Sequence, residues 1–399
     1  MSSGDARAHG HRPPSNWSDA RRLLHSLAAP ESETVSLATA IGRVTTASVI
    51  APRPLPHYES SAMDGWVYSG DEPWRLVPGS SSHRAGPALG PGTAAPILTG
   101  GALPEGATGV LRSEHGTDAG GMLRRRPDSE RTERRRRDIR PAAEEAEAGE
   151  VLVPAGRRLS AFDVALLEVA GFDEVAVARS PRAAVLVTGD EVIGAGVPEP
   201  GQVRDAFSTP LGAMLDGWGA ETAASARIHD DPSSIADALL RSDAQLVITT
   251  GGTAHSSADH LRAATAAAGY EPVVDGIDVR PGRHTFIARR PGTEDWVACL
   301  PGNPLAAFCA VVVLVEPLVA GLLGRPYAEP PLGALFTESA ADVARITPVV
   351  LDGTNARPVP YRNAHMLRGL AGADALAIQP PGTGPGPVAA PLFELPLPR

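Results

Sequence analysis

The chain of 399 residues reads as a multidomain α/β protein, and three observations predict it. From 182 to about 323, apolar strand-like runs alternate with helix-length segments, the pattern of a mostly parallel sheet. Residues 50–150 break into short β-like runs separated by Gly, Pro and Ser, with helical patterns on both flanks. Residues 330–399 are Pro-rich short strands, a small β-barrel or sandwich. The 42 Gly and 39 Pro make about a fifth of the chain, below the level of low-complexity sequence.

At the N-terminal side, Leu23, Leu24 and Leu27, then Val35, Leu37, Ala40, Ile41 and Val44, read as two short helices, the first capped by Ser18 or Asp19. The β region offers strands at Gly65–Tyr68, Trp74–Val77, Ala95–Leu98, Gly109–Glu114 and Val151–Val153. Its arginine-rich stretch 124–138 reads as a solvated loop. A helix over Phe162–Val169, stopped at Gly171, then returns to the helical stalk. In the α/β region the expected order is strand Ala183–Val187, helix Asp205–Trp218, strand Thr222–Ile228, helix Pro232–Arg241 and strand Gln245–Thr250. A helix through Ala268, strand Trp296–Leu300 and a long helix from Pro304 follow. The run Ala306–Leu323 contains Glu316 and Pro317 and reads as a buried helix rather than a membrane span.

Composition narrows the function. The net charge of −10 and 4% aromatic residues argue against nucleic-acid binding. All 36 basic residues are Arg, which excludes lysine chemistry such as a Schiff base. The two cysteines, Cys299 and Cys309, form no CxxC, and no apolar leader opens the chain; both point to a reducing cytoplasm. No GxSxG elbow supports serine hydrolysis, and His57, His115 and His255 lack metal-ligand spacing.

Four clusters carry possible chemistry, three of them at strand ends, where ligands bind in such sheets. Thr188-Gly189-Asp190-Glu191 offers two carboxylates for a hard cation, or an ordinary capped turn. Thr249-Thr250-Gly251-Gly252-Thr253, with Asp259 downstream, lets backbone N–H groups approach an anion, or is a tight left-handed turn. Leu300-Pro301-Gly302-Asn303-Pro304 is a rigid turn at a helix start. Ser60 to Gly65, with Asp64, reads locally as a hairpin turn. Asp230-Asp231 could add ligands, although Asp-Asp-Pro is a common capping sequence. Arg280 and Arg283 could clamp phosphate oxygens, or lie on an edge strand.

The order of these motifs is more telling than any one of them. SAMDG (61–65), LTGGALPEGATGVLRSE (98–114), VLVTGDE (185–191), HDDP (229–232), ITTGGT (248–253), VRPGR (279–283) and LPGNPLAAF (300–308) together resemble the MoeA/gephyrin E-domain family of molybdopterin molybdenumtransferases. The resemblance runs from about residue 17 to 390. It implies a helical stalk (16–50 and 150–180), an inserted β domain (51–149), a three-layer α/β molybdopterin-binding domain (181–326) and a C-terminal β-barrel (327–399). It further implies insertion of molybdenum from molybdate into adenylyl-molybdopterin with release of AMP, assisted by Mg²⁺. The implied assembly is a homodimer whose cleft joins the α/β domain of one subunit to the β domain of the other, with docking of other molybdenum-cofactor synthesis proteins. A non-catalytic molybdopterin- or nucleotide-binding paralogue is the alternative.

By position, the resemblance assigns catalysis to Asp64, Glu191 and Asp259, and metal binding to Asp190, Glu191, Asp230 and Asp231. Substrate binding falls to Thr99, Gly251, Gly252, Arg280, Arg283, Pro301, Gly302 and Asn303. The chain departs from the family pattern at Phe207, where Asn is usual, at Thr253–Ser256, and at Arg368-Gly369, where Ser is frequent.

Overall fold

A computed structural model describes residues 14–80, 83–127, 129, 138–251 and 258–396, with side chains left out at 258 and 259. Helix α1, Trp17–Leu27, is capped by Asn16, whose side chain accepts from the N–H groups of Ser18 and Asp19. The helix therefore starts ahead of the expected caps. Asp278 fixes that start by accepting from the Trp17 N–H at 2.9 Å.

The second expected helix is instead a strand. Ser32–Ser36 (β1) is followed by a single 3₁₀ turn, Leu37–Thr39. Glu33 and Val35 are half-buried between exposed Ser32, Thr34 and Ser36, a period of two that a helical reading of Val35 and Leu37 overlooks. The deciding partner lies about 140 residues away: helix α2 (Ala161–Ala170) leads to strand β2 (Glu174–Ala178), which pairs antiparallel with β1. Helix α2 has a full capping box, Ser160 with Asp163, and stops at Gly171 with φ 89°.

Between these elements lies a six-stranded sheet. Its order is Gly109–Arg112, Gly65–Ser69, Thr93–Ile97, Trp74–Leu76, Met122–Arg125, Gly116–Ala119. The arginine-rich stretch thus begins inside the sheet, where Arg125 stacks over Tyr68 and Trp74 at 5.5 and 5.4 Å. Residues 130–137 of that stretch lie outside the described residues.

The α/β region contains strands β3 (Arg182–Thr188), β4 (Glu221–Ile228), β5 (Leu246–Thr250), β6 (Glu271–Asp275), β7 (Phe286–Arg289) and β8 (Trp296–Leu300). They form one sheet in the order β4-β3-β5-β8-β7-β6. The first four strands are mutually parallel, β7 runs antiparallel to β8, and β6 runs antiparallel to β7. Helices α3 (Ser208–Trp218), α4 (Pro232–Arg241), α5 (Ala258–Ala267) and α6 (Pro304–Leu322) cover its two faces.

The layers follow from alternation along each strand. Val185, Val187, Leu246, Ile248 and Trp296 pack with Leu211 and Leu215 of α3 and with α6. Ala184, Leu186, Val247 and Val297 pack with Ile235, Leu239 and Leu261 of α4 and α5. Each fully buried Val or Leu contributes about 1.5–3 kcal/mol of apolar burial. Although α6 is long and apolar enough to cross a membrane, 94% of its apolar window is buried inside the protein. A π turn at Val311–Val315 interrupts it, and Arg21 of α1 donates to the carbonyls of Val312 and Val313.

The C-terminal strands settle barrel against sandwich. Strands β9 (Leu332–Thr337), β10 (Ala344–Asp352), β11 (Asn355–Pro358), β12 (Ala375–Gln379) and β13 (Gly386–Glu394) close on themselves in the order β10-β11-β9-β13-β12-β10. Val279–Arg280 adds parallel to β10 and places Arg280 opposite Arg345. That seam fastens the barrel to the α/β sheet.

Candidate active site

The carboxyl ends of β3, β4, β5 and β8 open into a cleft of about 1880 Å³, which the barrel helps to wall. Eight of the expected residues line it: Glu191, Asp230, Gly251, Arg280, Arg283, Pro301, Gly302 and Asn303. Their order follows the order of the strands.

One end is acidic. Glu191 follows β3, its carboxylate folded over Gly189, whose φ is 127°. Asp230 follows β4, and its Oδ1 is buried with no hydrogen-bond partner among the described residues. Burial pushes the Asp230 carboxyl above its ordinary range. His260 opposes that shift, while the neighbouring charges of Glu191, Asp190 and Asp231 add to it.

The middle is bare backbone. Gly251 has φ 107°, and a Cβ there would lie 2.5 Å from the Thr188 hydroxyl oxygen, so only glycine fits. A Cβ on Gly302 would lie 3.4 Å from the Cα of Gly251, so the two turns abut. Asn303 makes no side-chain cap bond to α6, and its amide is left to the cleft.

The other end is basic. Among the described residues, Arg280 and Arg283 have no ion-pair partner, while Arg262 is paired to Asp275. The barrel supplies Arg345, Arg362, Asn363 and His365. Arg362 donates weakly to Glu338 and to the Val359 carbonyl, and Arg345 to Ser339 at 3.4 Å. Sequence reasoning missed these barrel residues. ARIT and YRNAH form no local motif, and the register Arg280–Arg345 is their one signal.

Other expected residues stand elsewhere. Asp231 caps α4, accepting from the Ser234 N–H at 2.9 Å and the Ser233 hydroxyl at 2.5 Å. These bonds hold its carboxyl far below the usual range. The capping reading of Asp-Asp-Pro therefore describes Asp231, whereas Asp230 faces the cleft. Asp190 pairs with the exposed His229 at 2.8 Å, outside the cleft lining. Asp64 and Thr99 meet at the tip of the inserted sheet and do not line the cleft. The Thr99 N–H and hydroxyl both donate to Asp64 Oδ1, at 2.7 and 2.8 Å, and keep that carboxyl below its usual range. Gly252 lies outside the described residues, as does the side chain of Asp259.

Two departures from the family pattern have structural roles. Phe207 is buried, packs on Phe308 at 5.9 Å and gives the cleft an apolar wall segment. Arg368 opens a one-turn helix and stacks over Tyr361 at 4.4 Å. A Cβ at Gly369 would lie 2.3 Å from the Pro360 carbonyl oxygen, so glycine is required there. Thr253–Ser256 lie outside the described residues.

Comparison with known proteins agrees with this architecture. Residues 15–171 match the family model of the MoeA N-terminal region (domain I and II). Residues 184–321 match that of a probable molybdopterin binding domain. A molybdopterin molybdenumtransferase 2 of Mycobacterium tuberculosis is 30% identical over 372 residues, covering 86% of this chain and 89% of that protein. A molybdopterin molybdenumtransferase of Nostoc is 27% identical over 343 residues, covering 79% and 76%. The crystal structure of a molybdopterin biosynthesis MoeA protein from Pyrococcus horikoshii superposes with a TM-score of 0.80. It is 24% identical, covers 96% of this chain and 99% of that one, and shows the shared fold. The chain belongs to the molybdopterin molybdenumtransferase family and is a transferase of molybdenum-cofactor biosynthesis.

Proposed function

We propose that the cleft takes adenylyl-molybdopterin and molybdate and yields molybdenum-molybdopterin and AMP. One observation carries the reading: the cleft runs from the carboxylates of Glu191 and Asp230, through side-chain-free glycine turns, to Arg280 and Arg283, which have no ion-pair partner among the described residues. A polyanionic substrate meets the basic end directly and the acidic end through a bound cation. Arg280, Arg283 and Arg345 offset the charge of the phosphate and of molybdate by bidentate hydrogen bonds. Glu191 would hold a proton or orient water during the displacement.

The acidic end also fits Mg²⁺. No three His, Cys, Asp or Glu side chains form a ligand group among the described residues, so a closed protein cage is not built. Mg²⁺ commonly needs only one or two carboxylates, the rest of its shell being water and substrate phosphate. The orphaned Oδ1 of Asp230, beside Glu191, suits that role. Bound there, Mg²⁺ would supply charge neutralisation at the departing AMP phosphate.

Asp64 and Thr99 then act from a second copy, whose inserted sheet closes the cleft of its partner. Their position outside the cleft lining of their own chain, and their pre-organised hydrogen bonds, support this arrangement. The buried cysteines and the buried apolar helix suit work in the cytoplasm.

The test is AMP release from adenylyl-molybdopterin by the purified protein with Mg²⁺ and molybdate. Release that needs molybdate, stops with EDTA and falls in Glu191→Gln supports the reading. Tight binding without AMP would make the protein a carrier.

A further inference from the structure

We propose that Asp278 is a positioning residue for the arginines of the basic end, and that the segment Pro14–Trp17 is the clamp through which it acts. The proposal rests on the reading above in one respect, that Arg280 and Arg283 hold substrate anions. Both line the cleft from the connection 276–285 between β6 and β7. That connection carries like charge: Arg280 stands opposite Arg345, and among the described residues neither Arg280 nor Arg283 has an ion-pair partner. Repulsion pushes it away from the cleft when no anion is bound, so it keeps its place only where other contacts oppose that push.

Hydrogen bonds on both edges of the connection oppose it. On one edge it folds on itself: the Ile277 N–H donates to the Arg283 carbonyl at 3.0 Å, and the Gly276 N–H to the Thr285 carbonyl at 2.9 Å. The residues before α1 take the other edge. Ser15 donates its N–H to the Gly276 carbonyl and accepts from the Asp278 N–H, both at 3.0 Å, in a parallel bridge to Ile277. Asp278 locks that bridge with its side chain, which accepts from the Trp17 N–H at 2.9 Å and from the Asn16 amide at 3.3 Å. A continuous path of bonds therefore joins the start of α1 to the backbone of Arg283. Pro14, just before the bridge, itself lines the cleft.

Charge alone would give Asp278 the opposite role. It lies two residues before Arg280, the spacing that puts two side chains on one face of an extended chain. A carboxylate paired with Arg280 would weaken anion binding. No ion pair joins the two among the described residues, because both Asp278 oxygens are engaged by the start of α1. The bonds that hold the connection in place also keep the acid from the base.

The experiment separates the two roles by sign. It measures the affinity for inorganic pyrophosphate by calorimetry, the KM for molybdate and kcat of AMP release, melting temperature, and amide hydrogen exchange over 276–285. It compares wild type with Asp278→Ala, Asp278→Asn, Ser15→Pro and Asp163→Ala. Asp278→Ala is expected to weaken pyrophosphate binding about tenfold, the scale of one charge-assisted hydrogen bond that anion binding must then replace to order the connection. KM should rise by a similar factor with kcat nearly unchanged, and the Ile277 and Asp278 amides should exchange faster. Ser15→Pro removes the N–H given to Gly276 and should do the same with the carboxylate intact. Asp278→Asn keeps an acceptor oxygen for Trp17 and should restore binding. Asp163→Ala breaks the capping box of α2, and should lower the melting temperature without moving pyrophosphate affinity or KM. Pyrophosphate held as tightly or more tightly by Asp278→Ala overturns the proposal, as does an equal rise of KM in Asp163→Ala. A wild type that binds pyrophosphate but releases no AMP overturns the functional reading, while the affinity and exchange results still decide the clamp.

Discussion

At the carboxyl edge of the α/β sheet, side chains from four strand ends and the barrel face one cleft. At the tip of the inserted sheet, Asp64 and Thr99 are hydrogen-bonded to each other and stand outside that cleft. Among the described residues the cleft is asymmetric and incompletely satisfied, with an orphaned Asp230 oxygen and with Arg280 and Arg283 lacking counter-charges. The tip is small and satisfied internally. A site with unmet electrostatic demands is built to receive a ligand, whereas a pre-organised pair beyond that site is built to be delivered to one.

The largest effect tests this division. Glu191→Gln and Asp64→Ala are each expected to lower AMP release by a factor on the order of 100 or more. If the tip acts across a symmetric dimer, an equal mixture of the two variants, allowed to exchange subunits, should recover about a quarter of wild-type activity. Such a mixture contains heterodimers with one intact composite site. No recovery, with exchange confirmed by mass spectrometry, would confine the tip to its own chain.

The next effect concerns the bare backbone between the charged ends. Gly251→Ala must adopt a left-handed φ and push into Thr188, and should cost about 1–3 kcal/mol in urea unfolding. A neutral outcome would show that the turn can move aside and that its narrow geometry is not required.

Third, Arg345→Ala should raise the KM for molybdate about tenfold while slightly raising the melting temperature. Arg280 and Arg345 are register neighbours, and like charges so placed repel until an anion lies between them. An unchanged KM would remove the barrel from the basic end.

The smallest effect probes the frame under the apolar wall. Burial alone would raise the Asp205 carboxyl, but hydrogen bonds from Ser208 and the Phe207 N–H outweigh it and hold the group below its ordinary value. A depressed carboxyl stabilises the fold above its unfolded value, near pH 4, and loses that contribution as pH falls through the folded value. Asp205→Ala should cost about 1 kcal/mol at pH 7 and flatten the acid limb of the stability profile below pH 4. An acid limb as steep as wild type would assign that titration to other carboxylates.

Legibility differed between elements for physical reasons. Buried parallel strands are continuous apolar runs, so β3, β5 and β8 stand out from the sequence, and Pro232 and Gly171 mark helix ends by their fixed dihedral demands. The antiparallel pair β6 and β7 was hidden by Pro272 and flanking charges, and β1 by an apolar spacing that fits two periods. The glycine turns of the site were readable because only glycine tolerates their backbone. Arg345, Arg362 and His365 were not, since a charged or polar residue on a barrel strand or in the connection after it looks like any solvated side chain until the tertiary pairing is known.

The sequence by itself therefore determined the alternation of strands and helices, the bare glycine turns and an all-arginine basic surface. Local propensity and dihedral limits act over a few residues and need no partner. Tertiary structure alone decided that β1 is a strand and that five C-terminal strands close into a barrel. It also decided that Asp230 faces the cleft while Asp231 caps a helix, and that Arg280 lies opposite Arg345. Those outcomes depend on pairing and burial between residues tens to hundreds of positions apart, where the free energy belongs to the contact and to neither segment alone.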